Sequence, residues 1–292
     1  MAEKSIPPLL PPELEQDIFK LAAYTRPRSI PKLMLVAWRV KAWVEPLRYR
    51  VLLFSEGRPG LHSAWKYPYQ DDDDFSHTFS IPPAILRASV RHLCIHHSDK
   101  ELAKFLLPNC FSVYDLWAST HATLDLVGAL RLRRLHCALK AVFDSSPVDF
   151  THSLFIGLTH LEIFDYAEEL PGATWSNVAS IPNLTHLAFN DDGFLPFFPM
   201  LLRTCASLRV LALVEPTPIQ YPPSAEISDE LARDTRFVWI ACTEFIMDWH
   251  QGALTGEDFW SRAETFIERR KRGKMTDPLQ YWIEDDASER LP

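Results

Sequence analysis

Glycine is scarce in this sequence, and the motifs of several enzyme classes are missing. The 292 residues include only 9 glycines but 23 prolines. Few glycines disfavour glycine-rich phosphate loops, and many prolines favour short elements separated by rigid breaks. The sequence contains no Gly-x-x-x-x-Gly-Lys loop, no Gly-x-Gly-x-x-Gly turn, no Gly-x-Ser-x-Gly elbow and no His-Glu-x-x-His helix. We therefore expect no catalytic residue and no cofactor.

Paired cysteines, long apolar runs and an excess of basic charge are also absent. The 5 cysteines form no Cys-x-x-Cys pair, which argues against a disulfide framework or a zinc ribbon. The first ten residues lack the apolar run of a signal peptide, and no window approaches the roughly 18 apolar residues of a membrane span. The net charge of −8 disfavours general binding to nucleic acid. The sequence thus predicts a cytoplasmic or nuclear protein with reduced thiols and with neither a nucleic-acid nor a membrane partner.

Residues 1–55 form the first predicted part, a small helical segment. Apolar residues recur there at the spacing of one helical face in two stretches. They are Leu14, Ile18, Leu21 and Ala22 in the first stretch and Leu33, Val36, Val40 and Trp43 in the second. Pro27 and Pro31 end the first helix, and the second helix is predicted over 32–44. Two such short helices cannot bury all their apolar surface in each other, so they either pack on the rest of the chain or bind a partner.

The same segment carries a recognisable motif. Leu10-Pro11-Pro12-Glu13-Leu14, followed by Ile18-Phe19, resembles the opening of an F-box, and Leu33-x-Leu35-Val36-x-Trp38-Arg39 resembles its second half. Between them, Arg26-Pro27-Arg28-Ser29-Ile30-Pro31 replaces the usual acidic turn. The resemblance, to F-box-like proteins of fungi, implies a substrate receptor of a cullin-type ubiquitin ligase whose helical face grips a Skp-type adaptor protein. The adaptor-binding residues that it implies are Leu10, Pro11, Leu14, Ile18, Leu33 and Val36.

Residues 56–80 form a predicted acidic linker. The segment holds glycine, proline and the run Asp71–Asp74. Four adjacent carboxylates lack the alternating ligands and central glycine of an EF-hand calcium loop. We therefore expect a solvated loop and no metal site there.

A short pattern, apolar-x-x-apolar-x-apolar, recurs seven times over residues 81–245. Its middle residues are Leu93, Tyr114, Leu135, Leu161, Leu187, Leu211 and Ile240. The steps between them fall within the 20–29-residue period of leucine-rich repeats. The phrase Leu-Thr-His-Leu occurs twice, at 158–161 and 184–187. The stretch resembles irregular leucine-rich repeats, although their asparagine ladder is mostly absent. The resemblance implies an α/β solenoid with one short strand per unit and helical or irregular returns.

The residues between the inward apolar positions should line the concave face of such an array. The predicted client-binding residues on this face are Trp117, Arg134, His136, His160, Glu162, Phe164 and His186. Because neighbouring strands lie about 4.8 Å apart, His160 and His186 should be near neighbours, with Glu162 and His136 close by. A cluster of two histidines and a glutamate could bind zinc, but a partner-binding face, or a row of solvated strand residues, is the preferred interpretation.

Residues 246–292 form a predicted C-terminal cap. A helix is expected from a cap at Thr255 through Phe259 and Phe266, with Gly273 placed to stop it. Its basic end, Arg269–Arg272, suits the helix dipole, and a nuclear-localisation or phosphate-binding patch is the alternative. The helix would cover an open end of the solenoid.

Three functional hypotheses follow from these patterns. The first is an F-box-like receptor that binds an adaptor and a client and needs no catalytic residue. The second is a leucine-rich-repeat scaffold whose first helices only cap the array. The third is an enzyme that uses the histidine-rich face, which requires a deep pocket at which His136, His160, Glu162 or His186 converge. Exposure of Leu14, Ile18 and Val36 distinguishes the first hypothesis from the second.

Overall fold

A computed structural model describes residues 10–55, 81–96, 100–144, 146–215, 227–277 and 279–283. The predicted linker at 56–80, with Asp71–Asp74, lies outside these residues. The nine described strands are β1 (Val51–Ser55), β2 (His92–His96), β3 (Asp115–Ala118), β4 (Arg134–Cys137), β5 (His160–Ile163), β6 (His186–Phe189), β7 (Val210–Glu215), β8 (Phe237–Ala241) and β9 (Trp282–Ile283). They form one open parallel sheet in which each strand pairs with the next in chain order, from β1 to β9. The α/β class expected from the sequence is confirmed.

Short helices connect the strands, as parallel pairing requires. The α-helices are α1 (Pro12–Thr25), α2 (Ile30–Leu33), α3 (Trp38–Val44), α4 (Pro83–Ser89), α5 (Lys100–Asn109), α6 (Leu124–Val127), α7 (Leu139–Phe143), α8 (Phe198–Thr204), α9 (Asp229–Arg233), α10 (Phe245–Thr255) and α11 (Phe259–Lys271). The 3-10 helices are Pro27–Ser29, Glu45–Tyr49, Ser153–Phe155, Ala167–Glu169, Gly172–Ser180 and Asp192–Phe197. None of the described helices is long and apolar enough to cross a membrane.

One face of the sheet, here called the return face, packs against the helices that link the strands. Alternate residues of a strand point to opposite faces, and the return-face residues form one continuous apolar cluster. Six leucines in register across β2 to β7 form its central row: Leu93, Leu116, Leu135, Leu161, Leu187 and Leu211. All six are fully buried, and burying one leucine side chain stabilises a fold by about 1.5–3 kcal/mol. These six side chains form the centre of the core.

The opposite face of the sheet, here called the cap face, is covered by α10 and α11. Trp260 and Ile267 of α11 pack with Val210, Val214 and Ile240 of β7 and β8. A second cluster joins α10 to β2 and β3, and it contains Cys94, Trp117, Ile246, Trp249 and Ala253. The sequence analysis predicted that the C-terminal helix covers an open end of the array. In the structure it lies on the cap face, over β7 and β8, together with α10, which the sequence analysis did not predict.

The junction between α10 and α11 corrects the predicted cap. Thr255 is the last residue of α10, and Gly256 follows it with a φ of 84°, a left-handed conformation that favours glycine. Asp258 is the residue that caps α11, because its Oδ1 accepts a hydrogen bond from the Ser261 N–H at 2.9 Å. Gly252 permits the close approach of the two helices, since a Cβ there would lie 2.6 Å from the Cβ of Asp258.

The strand register places five of the seven predicted middle residues in one row and differs from the prediction at the other two. Leu93 pairs with Leu116 rather than Tyr114, and Leu211 pairs with Phe237, which turns Ile240 toward the cap face. The first error is a shift of two residues, which keeps the predicted face for Leu116. The second is a shift of three residues, which reverses the face. All five residues of β8 are apolar and buried, so its sequence does not show which of them alternate toward the return face.

The N-terminal helices also differ from the prediction. The helix expected over 32–44 is split into α2 and α3 by a turn at 34–37, where the Val36 N–H donates to the Leu33 carbonyl at 3.1 Å. Pro31 lies in the first turn of α2, where the missing N–H of proline is harmless. A small core of their own holds these helices together. It consists of the buried residues Ala23, Ile30, Val40 and Val44.

At the carboxyl ends of the strands, aspartate side chains form hydrogen bonds to the segment that follows the neighbouring strand. Asp165, after β5, accepts hydrogen bonds from the backbone N–H groups of Leu139 at 2.6 Å and Lys140 at 2.9 Å, after β4. Asp191, after β6, accepts one from the Ala167 N–H at 2.7 Å. These carboxylates satisfy the first N–H groups of the helices that follow the preceding strands.

Candidate functional site

Helix α1 carries a row of exposed apolar side chains, here called the N-terminal stripe. It consists of Leu14, Ile18 and Leu21 on the helix, together with Leu10 just before it. The spacing of four and then three residues places the three helical members on one face. Leu14 is 52% exposed and Ile18 is 53% exposed, although the pattern is that of a face that packs against something. Such a row of exposed apolar side chains makes this face a candidate interaction site.

The turn between α2 and α3 extends the stripe. Leu35, Val36 and Trp38 are exposed, Trp38 to 80%. The guanidinium of Arg39 binds the Glu15 carboxylate through two hydrogen bonds of 2.8 and 2.9 Å, and this pair holds the start of α3 beside α1. The exposed side chains of the turn and of α1 therefore belong to one region of the surface.

The structure places five of the six predicted adaptor-binding residues in this exposed region. They are Leu10, Pro11, Leu14, Ile18 and Val36. Leu33 is half-buried and packs against the small core of the N-terminal helices. Sequence reasoning did not select Leu21, Leu35 or Trp38 as site residues, although the helical spacing of Leu21 and the F-box-like motif around Trp38 had already singled them out.

A second candidate site is a buried polar network on the cap face, centred on Asp115. The His92 Nδ1–H donates to Asp115 Oδ2 at 2.8 Å, and the indole N–H of Trp249 donates to Oδ1 at 3.1 Å. His136 Nε2 lies 3.5 Å from the same Oδ1. The sequence places Asp115 on this face, but it does not reveal the contact with Trp249, which is 134 residues away.

His136 lies between two carboxylates. Its Nδ1–H donates to Glu162 Oε2 at 2.6 Å, and the Asn190 amide donates to the other oxygen of Glu162 at 3.1 Å. Burial alone would lower the pKa of His136, but the hydrogen bonds and charges of Asp115 and Glu162 raise it to about 9. Burial would likewise raise the pKa of Asp115, but His136 and His92 hold it well below its usual range. His136 is thus an imidazolium beside the Asp115 carboxylate at neutral pH.

His160 and His186 form the neighbouring pair that the strand spacing predicts. Their rings are stacked, with centroids 3.9 Å apart, and Trp260 packs edge-on against both at 5.3 and 5.6 Å. Burial, with the neighbouring charges of His186 and Arg134, lowers the pKa of His160 to about 2. Burial also lowers the pKa of His186, although Glu264 opposes the shift. These rings are neutral packing groups under α11.

The repeated Leu-Thr-His-Leu phrase acquires a physical role at this pair. The Thr159 hydroxyl lies 2.8 Å from the Nδ1 of His160 and 3.0 Å from the Arg133 carbonyl. The Thr185 hydroxyl makes the equivalent contacts with His186 and the Thr159 carbonyl, at 2.8 and 3.1 Å. Each threonine therefore fixes the orientation of the histidine that follows it.

The predicted client-binding residues all lie on or beside the cap face, under or next to the two helices. Trp117, His136, Glu162 and His186 are buried, whereas Arg134, His160 and Phe164 are half-buried. Arg134 forms a 2.6 Å ion pair with Asp258 at the start of α11. A client or a substrate would reach the four buried side chains only if α10 or α11 moved away.

The hydrogen bonds of this network join β2, β3, β4 and β5 to each other and to α10. His136 and Glu162 converge as a catalytic pair would, but both are almost completely buried. Among the described residues, no group of three or more histidine, cysteine, aspartate or glutamate side chains is placed to hold a metal ion. All 5 cysteines are buried free thiols, and burial raises the pKa of Cys94 and Cys137 well above the usual value.

No protein-family model matches this chain, and a search of curated proteins finds no match to it.

Proposed function

We propose that this protein is an F-box-like receptor whose N-terminal helices dock a Skp-type adaptor of a cullin-type ubiquitin ligase. The observation that carries the proposal is the exposure of Leu14, Ile18 and Val36, which separates a docking face from a plain solenoid cap. An amphipathic helix laid into an apolar groove gains about 25 cal/mol for each Å² of apolar surface it buries, before the costs of association.

The N-terminal helices already pack against one another, which favours a docking role for the stripe over packing against the rest of the chain. Ala23, Ile30, Val40 and Val44 already fill the core between them, so the stripe is not needed to complete it. The Arg39–Glu15 ion pair holds α1 and α3 in place without any partner. A surface that is preorganised in this way loses little conformational freedom on binding, which favours affinity.

We further propose that the body is an irregular leucine-rich-repeat solenoid that holds a client protein. The support is the strand order, in which every strand pairs only with its neighbours in the chain, and the carboxylate contacts between successive turns. Units that contact only their neighbours are the defining feature of repeat proteins. Of the predicted client-binding residues, the half-buried Arg134, His160 and Phe164 are the ones a client could touch with the cap in place.

Co-purification with a recombinant Skp-type adaptor tests the adaptor role. We expect the wild-type chain to bind it stoichiometrically and the Leu14→Asp/Ile18→Asp variant to lose binding while retaining its circular dichroism spectrum. Phe111→Asp/Ile156→Asp is the matched control, because these side chains are 56% and 58% exposed and lie on the body of the protein. The control should bind as the wild type does.

The possible failures point to different conclusions. If the wild type does not bind the adaptor, the receptor proposal is wrong and the scaffold hypothesis takes its place. If both double variants lose binding equally, the stripe is not the docking face. Should Leu14→Asp/Ile18→Asp unfold, Val36→Asp tests the same face from the turn between α2 and α3, where the side chain is 59% exposed.

A further inference from the structure

The N-terminal helices carry a charge opposite to that of the rest of the chain. Residues 10–44 contain six basic and three acidic side chains, a net charge of +3 in a chain whose total is −8. The bases cluster where the F-box-like motif would have its acidic turn. The three exposed members of this group, here called the cationic turn, are Arg26, Arg28 and Lys32.

The cationic turn has no recorded countercharge. In the described ranges, Arg39 pairs with Glu15 and Lys41 lies 3.8 Å from Glu45, but no carboxylate is recorded near the three bases of the turn. The dipole at the carboxyl end of α1 gives Arg26 a local stabilising role, worth about 0.3–1 kcal/mol. The dipole does not account for Arg28 and Lys32, which lie beyond the helix end.

The turn is held rigidly. Ile30 is buried in the core of the N-terminal helices, and the Ser29 N–H and hydroxyl both donate to the Arg26 carbonyl, at 2.8 and 2.7 Å. Pro27 and Pro31 fix their own φ angles on either side of Arg28 and Ile30. The three cations therefore stand on a backbone that loses little freedom when a partner binds.

The opposite end of α1 carries the other charge. Glu13 and Asp17 are exposed in its first half, on the same helix as the N-terminal stripe. At 1.5 Å per residue, Glu13 and Arg26 are about 20 Å apart along the helix axis, more than twice the screening length of about 8 Å at physiological salt. A partner therefore experiences two separate charges at the two ends of one apolar stripe.

We infer that the partner covering the N-terminal stripe is a protein with an apolar groove bordered by carboxylates, which face Arg26, Arg28 and Lys32, and that this charge sets the direction in which it docks. The inference rests on the proposed adaptor role and gives the chemistry of the adaptor's surface. Complementary charge at the rim of an interface acts mainly on the association rate and on orientation.

The association rate of a purified Skp-type adaptor tests this inference. The variant Arg26→Glu/Arg28→Glu/Lys32→Glu should associate at least about tenfold more slowly than the wild type at low salt, and the difference should shrink as salt rises. The matched control is Arg131→Glu/Arg133→Glu/Lys271→Glu, which makes the same change in net charge at exposed positions on the body. The control measures how a more negative net charge, away from the cationic turn, changes the association rate.

Each outcome bears on a different statement. Equal rates for the two triple variants, or a wild-type rate independent of salt, would overturn the acidic-groove inference but leave the adaptor role intact. A wild-type chain that does not bind the adaptor would overturn both. If the glutamate variant unfolds, Arg26→Gln/Arg28→Gln/Lys32→Gln applies the same criterion with a smaller expected change of about threefold.

Discussion

Both ends of this chain contribute amphipathic helices, but only one end is covered. In α11, Trp260 is 1% exposed and packs on the cap face of the sheet, whereas in α1 Ile18 is 53% exposed. The apolar spacing of the two helices is similar in the sequence. The comparison teaches that apolar periodicity identifies the hydrophobic face of a helix. The rest of the fold decides whether the same chain buries that face.

The reason for the difference lies in what each helix finds beside it. Strands β7 and β8 present Val210, Val214 and Ile240 on the cap face, and this apolar surface would face water without α11. The N-terminal helices instead close a small core of their own and leave the stripe outside it. Helix α11 covers the apolar surface of β7 and β8, whereas no described part of the chain covers the stripe on α1.

Matched tryptophan substitutions give the largest expected difference between the two regions. Trp260→Ala should lower the free energy of unfolding by about 3–5 kcal/mol, because it leaves a cavity between α11, His160 and His186. Trp38→Ala should change it by no more than about 0.5 kcal/mol, because the side chain is 80% exposed. Urea unfolding followed by circular dichroism measures both.

Either tryptophan variant can contradict the proposed difference between the two helices. A small loss for Trp260→Ala would mean that the cap is only loosely held on the sheet. A large loss for Trp38→Ala would mean that the turn between α2 and α3 supports the fold, and the docking interpretation would weaken.

The parts of the fold that could be predicted depend on local pattern. The α/β class, strands β2 and β4 to β7, and most of α11 follow from apolar spacing within short windows. The break between α2 and α3 and the whole of α10 could not be predicted in the same way. Helix α10 contains Asp248, His250 and Gly252 in its middle, and all three are buried, so its sequence shows no clean polar face.

The two candidate sites also differ in how far they depend on local sequence pattern. The stripe on α1 is local, so Leu14 and Ile18 could be selected from the sequence alone. The network on the cap face is not local, because Asp115 meets Trp249 and His136 from other strands and from α10. The strand alternation predicted which residues share that face, but not that two later helices bury them.

Asp115→Asn tests the buried network and should have the second largest effect. Removing one charge from a buried, hydrogen-bonded set leaves the His136 imidazolium with one carboxylate fewer, and we expect a loss of about 3 kcal/mol at pH 7. Glu230→Gln is the control, since its ion pair with Arg203 is exposed on both sides and should contribute less than about 1 kcal/mol. Urea unfolding at pH 7 compares the two variants.

The pH dependence of the same variant gives a sharper test. The pKa of His136 is raised to about 9 in the fold, so its stabilising effect is complete below its unfolded pKa of about 6.5 and is lost as the pH rises through 9. The wild type should therefore lose stability between pH 7 and pH 9.5, and Asp115→Asn should lose less over that interval. Parallel curves for the two proteins would show that Asp115 does not hold the proton on His136.

Exposed ion pairs should show the smallest effects, and here the two regions should not differ. Glu45→Gln removes the pair with Lys41 at the end of α3, and Glu268→Gln removes the pair with Arg272 at the end of α11. Both pairs join residues four apart, the first about one-third exposed and the second more than half exposed. Each should change the free energy of unfolding by less than about 0.5 kcal/mol, since solvent screens such charges. If Glu45→Gln costs several times more than Glu268→Gln, the N-terminal helices depend on surface charge for their stability, and the contrast between the two ends reflects marginal folding rather than a missing partner. If both losses are small and equal while the two tryptophan variants differ strongly, surface ion pairs contribute alike at the two ends. The two ends then differ only in whether the chain covers the apolar face of the helix.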